Sequence, residues 1–259
     1  IIGGMPEAVK KWVDTKDVVE VENIQQKILD SYALDFAKHA PASDIPKLNL
    51  IWKSLPDQLA KENGKFIFSR VRPGARAKDL EDALEWLVSA GMVYKVARIE
   101  KPFIPLSAYS DQKYFKLYAA DVGLLRKMAR LPAEAIRFEP ERYREVKGAL
   151  TENFVLTEFL NAGEDVPFYW KSNNTAEVDF VAQLGAGIVP VEVKSGRSNK
   201  SRSLAEYRKK YDPQVSVRTS LENLSGGKVR SIPLYMLWRL KDYIGMEFDR
   251  NTQDASSGA

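Results

Sequence analysis

A chain of 259 residues, 44% hydrophobic and 29% charged, has the composition of a globular protein and is long enough for two or three small cores. The absence of cysteine excludes disulfides and thiolate zinc sites, and a single histidine, His39, excludes multi-histidine metal centres and HNH-type nucleases. Net charge is a modest +4, no apolar run reaches the roughly 20 residues that span a bilayer, and no signal-peptide pattern occurs, so a cytoplasmic protein with no membrane partner is expected.

The first block, residues 1–43, reads as helical. Gly3-Gly4-Met5-Pro6 is a turn feeding a helix, with Pro6 suited to a first helical position. Val21 to Lys38 is a long helical pattern with Ile24, Ile28, Tyr32 and Phe36 along one side, and His39 to Asp44 is a linker. The next block, 44–130, resembles a winged helix. A helix from Pro46 to Asn63 presents Leu50, Ile51, Leu55 and Leu59, and is followed by a short strand, Lys65 to Val71. A second helix, Lys78 to Ser89, turns Leu80, Leu84, Leu87 and Val88 inward. Strands Met92 to Val96 and Tyr114 to Tyr118 flank a proline-containing wing. The exposed side of the helix in the recognition position carries Asp79, Glu81, Asp82 and Glu85, which repel a phosphate backbone, so packing against protein is favoured over groove reading. Arg70, Arg72 and Arg76 keep DNA contact open.

Residues 131–245 read helix, strand, strand, strand, helix, strand. The helix around Gly148 to Leu160 sets Glu152 among Ala149, Val155, Leu156 and Phe159, an apolar surrounding in which a carboxylate requires a cation, a donor or a raised pKa. Val166 to Lys171, Ala176 to Leu184 and Ile188 to Lys194 are strands, separated by turns at Asn173-Asn174 and at Gly185-Ala186-Gly187. A capping box at Ser203 to Glu206 opens a helix, and Gln214 to Thr219 alternates as a further strand. Strand alternation places Asp179, Glu192 and Lys194 on like faces, the two carboxylates suited to a hard cation and the ammonium to a phosphate. Residues 190–230 carry ten Lys/Arg against four Asp/Glu; Arg197, Lys200, Arg202, Lys209 and Lys210 form either a phosphate-binding surface or a solvated helix face. Trp170 suits base stacking or, more simply, a core strand, and Met236-Leu237-Trp238 reads as core. Residues 246–259 are polar and small, the composition of a disordered tail.

Glu152, Asp179 and Glu192-Val193-Lys194 on that order of elements resemble the PD-(D/E)XK core of restriction-endonuclease-like proteins. Gly-Gly-Met-Pro-Glu-Ala-Val at the start, Lys-Leu-Tyr-Ala-Ala-Asp121-Val-Gly-Leu-Leu, Gly-Ala-Leu-Thr-Glu-Asn-Phe-Val and Glu-Val-Asp-Phe widen the likeness. Together they are similar to the C-terminal half of prokaryotic AAA-superfamily ATPases that end in a domain of unknown function with a nuclease-like core. The resemblance implies an α+β, multidomain chain: a helical lid remnant over 1–43, a winged-helix domain over 44–130 and a restriction-endonuclease-like domain over 131–245. It also implies an ATPase module outside this chain, which contains no Gly-X4-Gly-Lys-Ser/Thr phosphate loop, so ATP would be bound only through that module.

Two expectations follow. One is a Mg²⁺-dependent phosphodiesterase acting on DNA, with Asp179, Glu192 and Glu152 as metal ligands and Lys194 positioning water. The other is a silent nuclease fold that, with the winged helix, docks DNA, a protein partner or a second copy of the chain. A plainer reading makes Glu192 and Lys194 a solvent-facing ion pair on an edge strand.

Overall fold

The fold was obtained as a computed structural model, which describes residues 1–61, 64–137, 141–172, 175–197 and 201–244. In chain order the helices α1 (Pro6–Thr15), α2 (Val18–His39), α3 (Ile45–Ala60), α4 (Phe68–Val71) and α5 (Ala77–Ser89) precede strands β1 (Val93–Ile99) and β2 (Ser110–Ala119). Helices α6 (Val122–Met128), α7 (Ala133–Arg137) and α8 (Arg144–Asn161) follow, then β3 (Phe168–Lys171), β4 (Glu177–Leu184) and β5 (Gly187–Val193). Helix α9 (Arg202–Tyr211), β6 (Ser216–Ser220), β7 (Val229–Pro233) and a 3-10 helix, Leu234–Arg239, complete the described chain. The fold is a mixture of α and β with two compact units: residues 1–95 with 116–154, and residues 96–115 with 155 onward. The predicted turn at Asn173-Asn174 and the tail 246–259 lie outside the described residues. Among the described residues, no helix is long and apolar enough to cross a membrane.

The first unit is built on a helical core. Asp17 caps α2 by accepting the Val19 N–H at 2.7 Å. Phe36, on the predicted face of α2, is buried and meets Trp52 and Trp86 edge to face at 6.2 and 5.8 Å. The strand expected over Lys65 to Val71 does not form: Lys65 makes a single bridge to Lys116 and Phe68–Val71 is a helical turn. The cause is Gln58, whose buried amide donates to the Ile67 carbonyl and accepts its N–H, both at 3.0 Å, taking the groups a strand partner would use.

The two glycine-containing motifs of the first unit meet each other. Asp121 caps α6 by accepting the Leu124 N–H at 2.8 Å, and its other oxygen accepts the Gly4 N–H at 2.6 Å. Gly3 has a φ of +78°, and a Cβ there would lie 2.3 Å from the Asp121 carboxylate, so both backbone and space select glycine. At Gly123 a Cβ would fall 2.5 Å from the Ile2 carbonyl and 2.7 Å from the Gln25 amide nitrogen. Gly123→Ala is therefore expected to push residues 1–4 off α6 and to lower stability by about 1–3 kcal/mol. Urea denaturation checks this; an unchanged midpoint would show that the segment yields without loss.

The second unit is organised by a seven-stranded mixed sheet in the order β2-β1-β3-β4-β5-β6-β7. β1 runs parallel to β3, β4 is antiparallel to both β3 and β5, and β5, β6 and β7 are parallel to one another. Strands β1 and β2 are longer than predicted because they continue into this sheet; Arg98 ties them by an ion pair to Asp111 at 2.8 Å and by stacking on Tyr114 at 3.9 Å. Phe159 of α8 packs on Phe180 at 5.9 Å. On the other face Leu204 and Tyr207 of α9 pack with Val181, Ile188 and Val229.

Two expectations are corrected here, and the simpler reading of Trp170 as core holds. The Ser203 capping box is not made, because α9 begins two residues earlier than that cap requires, with Ser201 at its N-cap. Trp170 is 1% exposed and held edge to face by Tyr207 and Tyr211 at 5.2 and 5.8 Å, so it is a core residue with no face for a base. Trp238, expected in the core, is 59% exposed. The 3-10 helix repeats every three residues, which carries Leu237 and Leu240 inward and turns Tyr235 and Trp238 out.

Candidate functional site

Antiparallel pairing of β4 with β5 assembles the acidic pair. Phe180 is opposite Val191, so one step further along the ladder sets Asp179 against Glu192 on the other face of the sheet. Asp179 Oδ2 accepts the Val193 N–H at 2.7 Å, which fixes the direction of that carboxylate. Lys194 Nζ donates to Glu192 Oε1 at 2.6 Å. Lys194 is held in turn by its own N–H, which donates to the Thr219 carbonyl of β6 at 2.9 Å.

Glu192 is 4% exposed and lies on a strand flanked on both sides, so the solvent-facing edge pair is not what the structure contains. A carboxylate this deep requires a compensating cation, and Lys194 supplies one. Glu177, two residues before Asp179, is drawn off by Lys171 of β3 at 3.3 Å.

Glu152 has its own partners in the first unit. Tyr118 donates to its Oε2 at 2.9 Å, and the ammonium of Lys116, 2% exposed, lies 3.3 Å from the same oxygen. The adjacent Asn153 pairs through its amide with both backbone groups of Ala119, at 2.8 and 3.0 Å, and so locks α8 to the end of β2. The cation and the donor that Glu152 requires are thus protein groups. Among the described residues, no group of three or more His, Asp or Glu side chains comes together to hold a metal ion.

The basic residues divide. Arg197 and Arg202 are exposed near the start of α9, as is Lys209 near its end, while Lys200 lies outside the described residues. Lys210 is eight residues beyond Arg202, or about 12 Å along the helix axis. Its ammonium sits over the rings of Tyr211 and Trp170, at 5.0 and 5.8 Å, a use the sequence reading did not anticipate. Burial pushes the neighbouring Tyr207 hydroxyl above its ordinary range.

Residues 1–135, more than half of the chain, match the family described as domain of unknown function DUF8612. The chain belongs to this family. Its DUF8612 region contains the Gly3, Asp121 and Gly123 contacts together with Lys116 and Tyr118. Residues 147–237 match a second family, domain of unknown function DUF4143, which occurs in AAA-ATPase-associated proteins. The DUF4143 match contains Glu152, Asp179, Glu192 and Lys194, so the Lys116–Glu152 pair joins one residue from each family's segment. No curated protein and no solved structure matches the chain.

Lys116 and Tyr118 escaped the sequence reading, although as residues i and i+2 of one strand they share a face. Arg218 of β6 escaped it as well: it is the register partner of Glu192, and register between distant strands is a tertiary property.

Proposed function

We propose that the second unit is a metal-dependent phosphodiesterase acting on DNA, of the restriction-endonuclease-like kind that the sequence resembles. In a longer protein it would be coupled to an AAA-type ATPase module and guided by the winged-helix segment. The observation that carries this reading is the set of Asp179 opposite Glu192 with Lys194 bonded to Glu192. Mg²⁺ is commonly held by one or two carboxylates and completes its octahedron with water and phosphate oxygens. Asp179 and Glu192 fit that requirement and would hold the ion. Glu152 is left out of the ligand set because Lys116 and Tyr118 engage its carboxylate.

When bound, the cation supplies Lewis-acid polarisation of the phosphate and an acidified water. The chain's own residues do the rest. The Val193 N–H keeps Asp179 aimed, Lys194 orients the attacking water and offsets charge developing on the phosphate, and the exposed Arg197 and Arg202 hold the flanking backbone.

The test is cleavage of labelled linear, branched and single-stranded DNA with Mg²⁺ or Mn²⁺. Lys194→Ala is expected to slow cutting about a hundredfold, the effect of removing one charge-stabilising donor, and Asp179→Ala at least as much. Equal cutting by wild type and both variants would refute the assignment. The alternative of a silent binding module draws on one feature: Glu192 is already neutralised by Lys194. Calorimetry separates the two, since submillimolar Mn²⁺ binding that is lost in Asp179→Ala belongs only to the first.

A further inference from the structure

We infer that Arg218 is a phosphate-contacting residue of this same site, extending it across the sheet from β4 to β7. The inference rests on reading Asp179, Glu192 and Lys194 as a site for a cation and a phosphate. Parallel pairing of β5 with β6 sets Glu192 beside Arg218, and pairing of β6 with β7 sets Arg218 beside Ser231. With Asp179 opposite Glu192, the four residues form one row on one face, at about 4.8 Å per strand. Arg218 is half-buried and Ser231 buried, so this end of the sheet carries a polar floor where its middle carries Val181 and Ile188.

Charge counting gives the row its purpose. Asp179 and Glu192 contribute two negative charges and Lys194 and Arg218 two positive ones, so these four side chains sum to zero. A divalent ion on the two carboxylates leaves two positive charges in excess, matching a phosphodiester and the hydroxide that attacks it. The planar fork of arginine, with five N–H donors, suits a second phosphate oxygen in a way that the point charge of Lys194 does not.

The experiment is binding of a labelled, cleavage-resistant phosphorothioate oligonucleotide to the full chain in Mn²⁺ over a KCl series, with Mn²⁺ affinity measured by calorimetry on the same samples. Arg218→Ala is expected to weaken oligonucleotide binding about tenfold at low salt and to reduce the slope of log affinity against log salt by about one phosphate contact. Arg218→Lys keeps the slope. An unchanged slope in Arg218→Ala, or a loss confined to Mn²⁺ affinity, would overturn the inference by showing a residue that only supports Glu192. Should the alanine variant unfold, Arg218→Gln carries the same comparison. Absence of Mn²⁺ binding by wild type sinks the cation site itself, whereas wild-type Mn²⁺ binding with an unchanged slope sinks only the role of Arg218.

Discussion

Replacing Arg126 by alanine is expected to remove about 4–5 kcal/mol of folding free energy, the upper end of what breaking one buried ionic contact costs. Arg126 is 1% exposed, and its guanidinium is shared among four partners of the first unit. It donates to Glu22 Oε1 and to the Leu131 carbonyl, both at 2.8 Å, to Gln25 Oε1 at 3.1 Å and to the Ile1 carbonyl at 3.3 Å. Gln25, fully buried, passes the contact on by donating to the Ile2 carbonyl at 2.8 Å. The network therefore ties α2, α6 and the segment before α1 through one side chain. Alanine would strand two buried acceptors and leave a void the size of the lost side chain, effects that add. Arg126→Lys keeps the charge but reaches fewer acceptors, and should fall between alanine and wild type. Guanidinium denaturation with amide exchange of residues 2–4 measures both; a loss below about 1 kcal/mol for alanine would mean that the network relaxes onto water.

Glu152→Ala is expected to cost about 3 kcal/mol, with or without Mg²⁺. The reasoning turns on Lys116, whose buried ammonium loses its carboxylate while Tyr118 loses its acceptor. Glu152→Gln should cost less, since an amide oxygen still accepts from Tyr118, and Lys116→Met should cost least, because the partly exposed Glu152 regains water. Thermal melts in EDTA and in Mg²⁺ give the result. If instead the wild type alone gained stability from Mg²⁺ and Glu152→Ala matched it in EDTA, Glu152 would be a metal ligand and the assignment to Lys116 would fail.

Much of the second unit was legible before its structure. The strands around Trp170, Asp179 and Glu192 lie within two residues of their predicted ends, because each is a short apolar or alternating run bounded by turn residues. The co-facial placement of Asp179, Glu192 and Lys194 followed from a period of two. The misreadings have local causes. Lys65 to Val71 looked like a strand until Gln58, distant on α3, took over the Ile67 backbone. Trp238 looked like core because hydropathy does not reveal a three-residue repeat in place of 3.6. Within the basic run around α9, the contact of Lys210 with the faces of Trp170 and Tyr211 is one that no local pattern announces.

By itself the sequence determined the mixed α and β character of the chain, the run of helix and three strands from α8 to β5, and which acids share a face with Lys194, since these depend on local periodicity and turn chemistry. The tertiary structure alone decided what each charge meets: Lys116 for Glu152, Arg218 beside Glu192, and Arg126 for the chain ahead of α1. The reason is physical. A buried charge is compensated by whichever group packing brings within a few ångströms, and for these three the partners stand dozens of residues away along the chain.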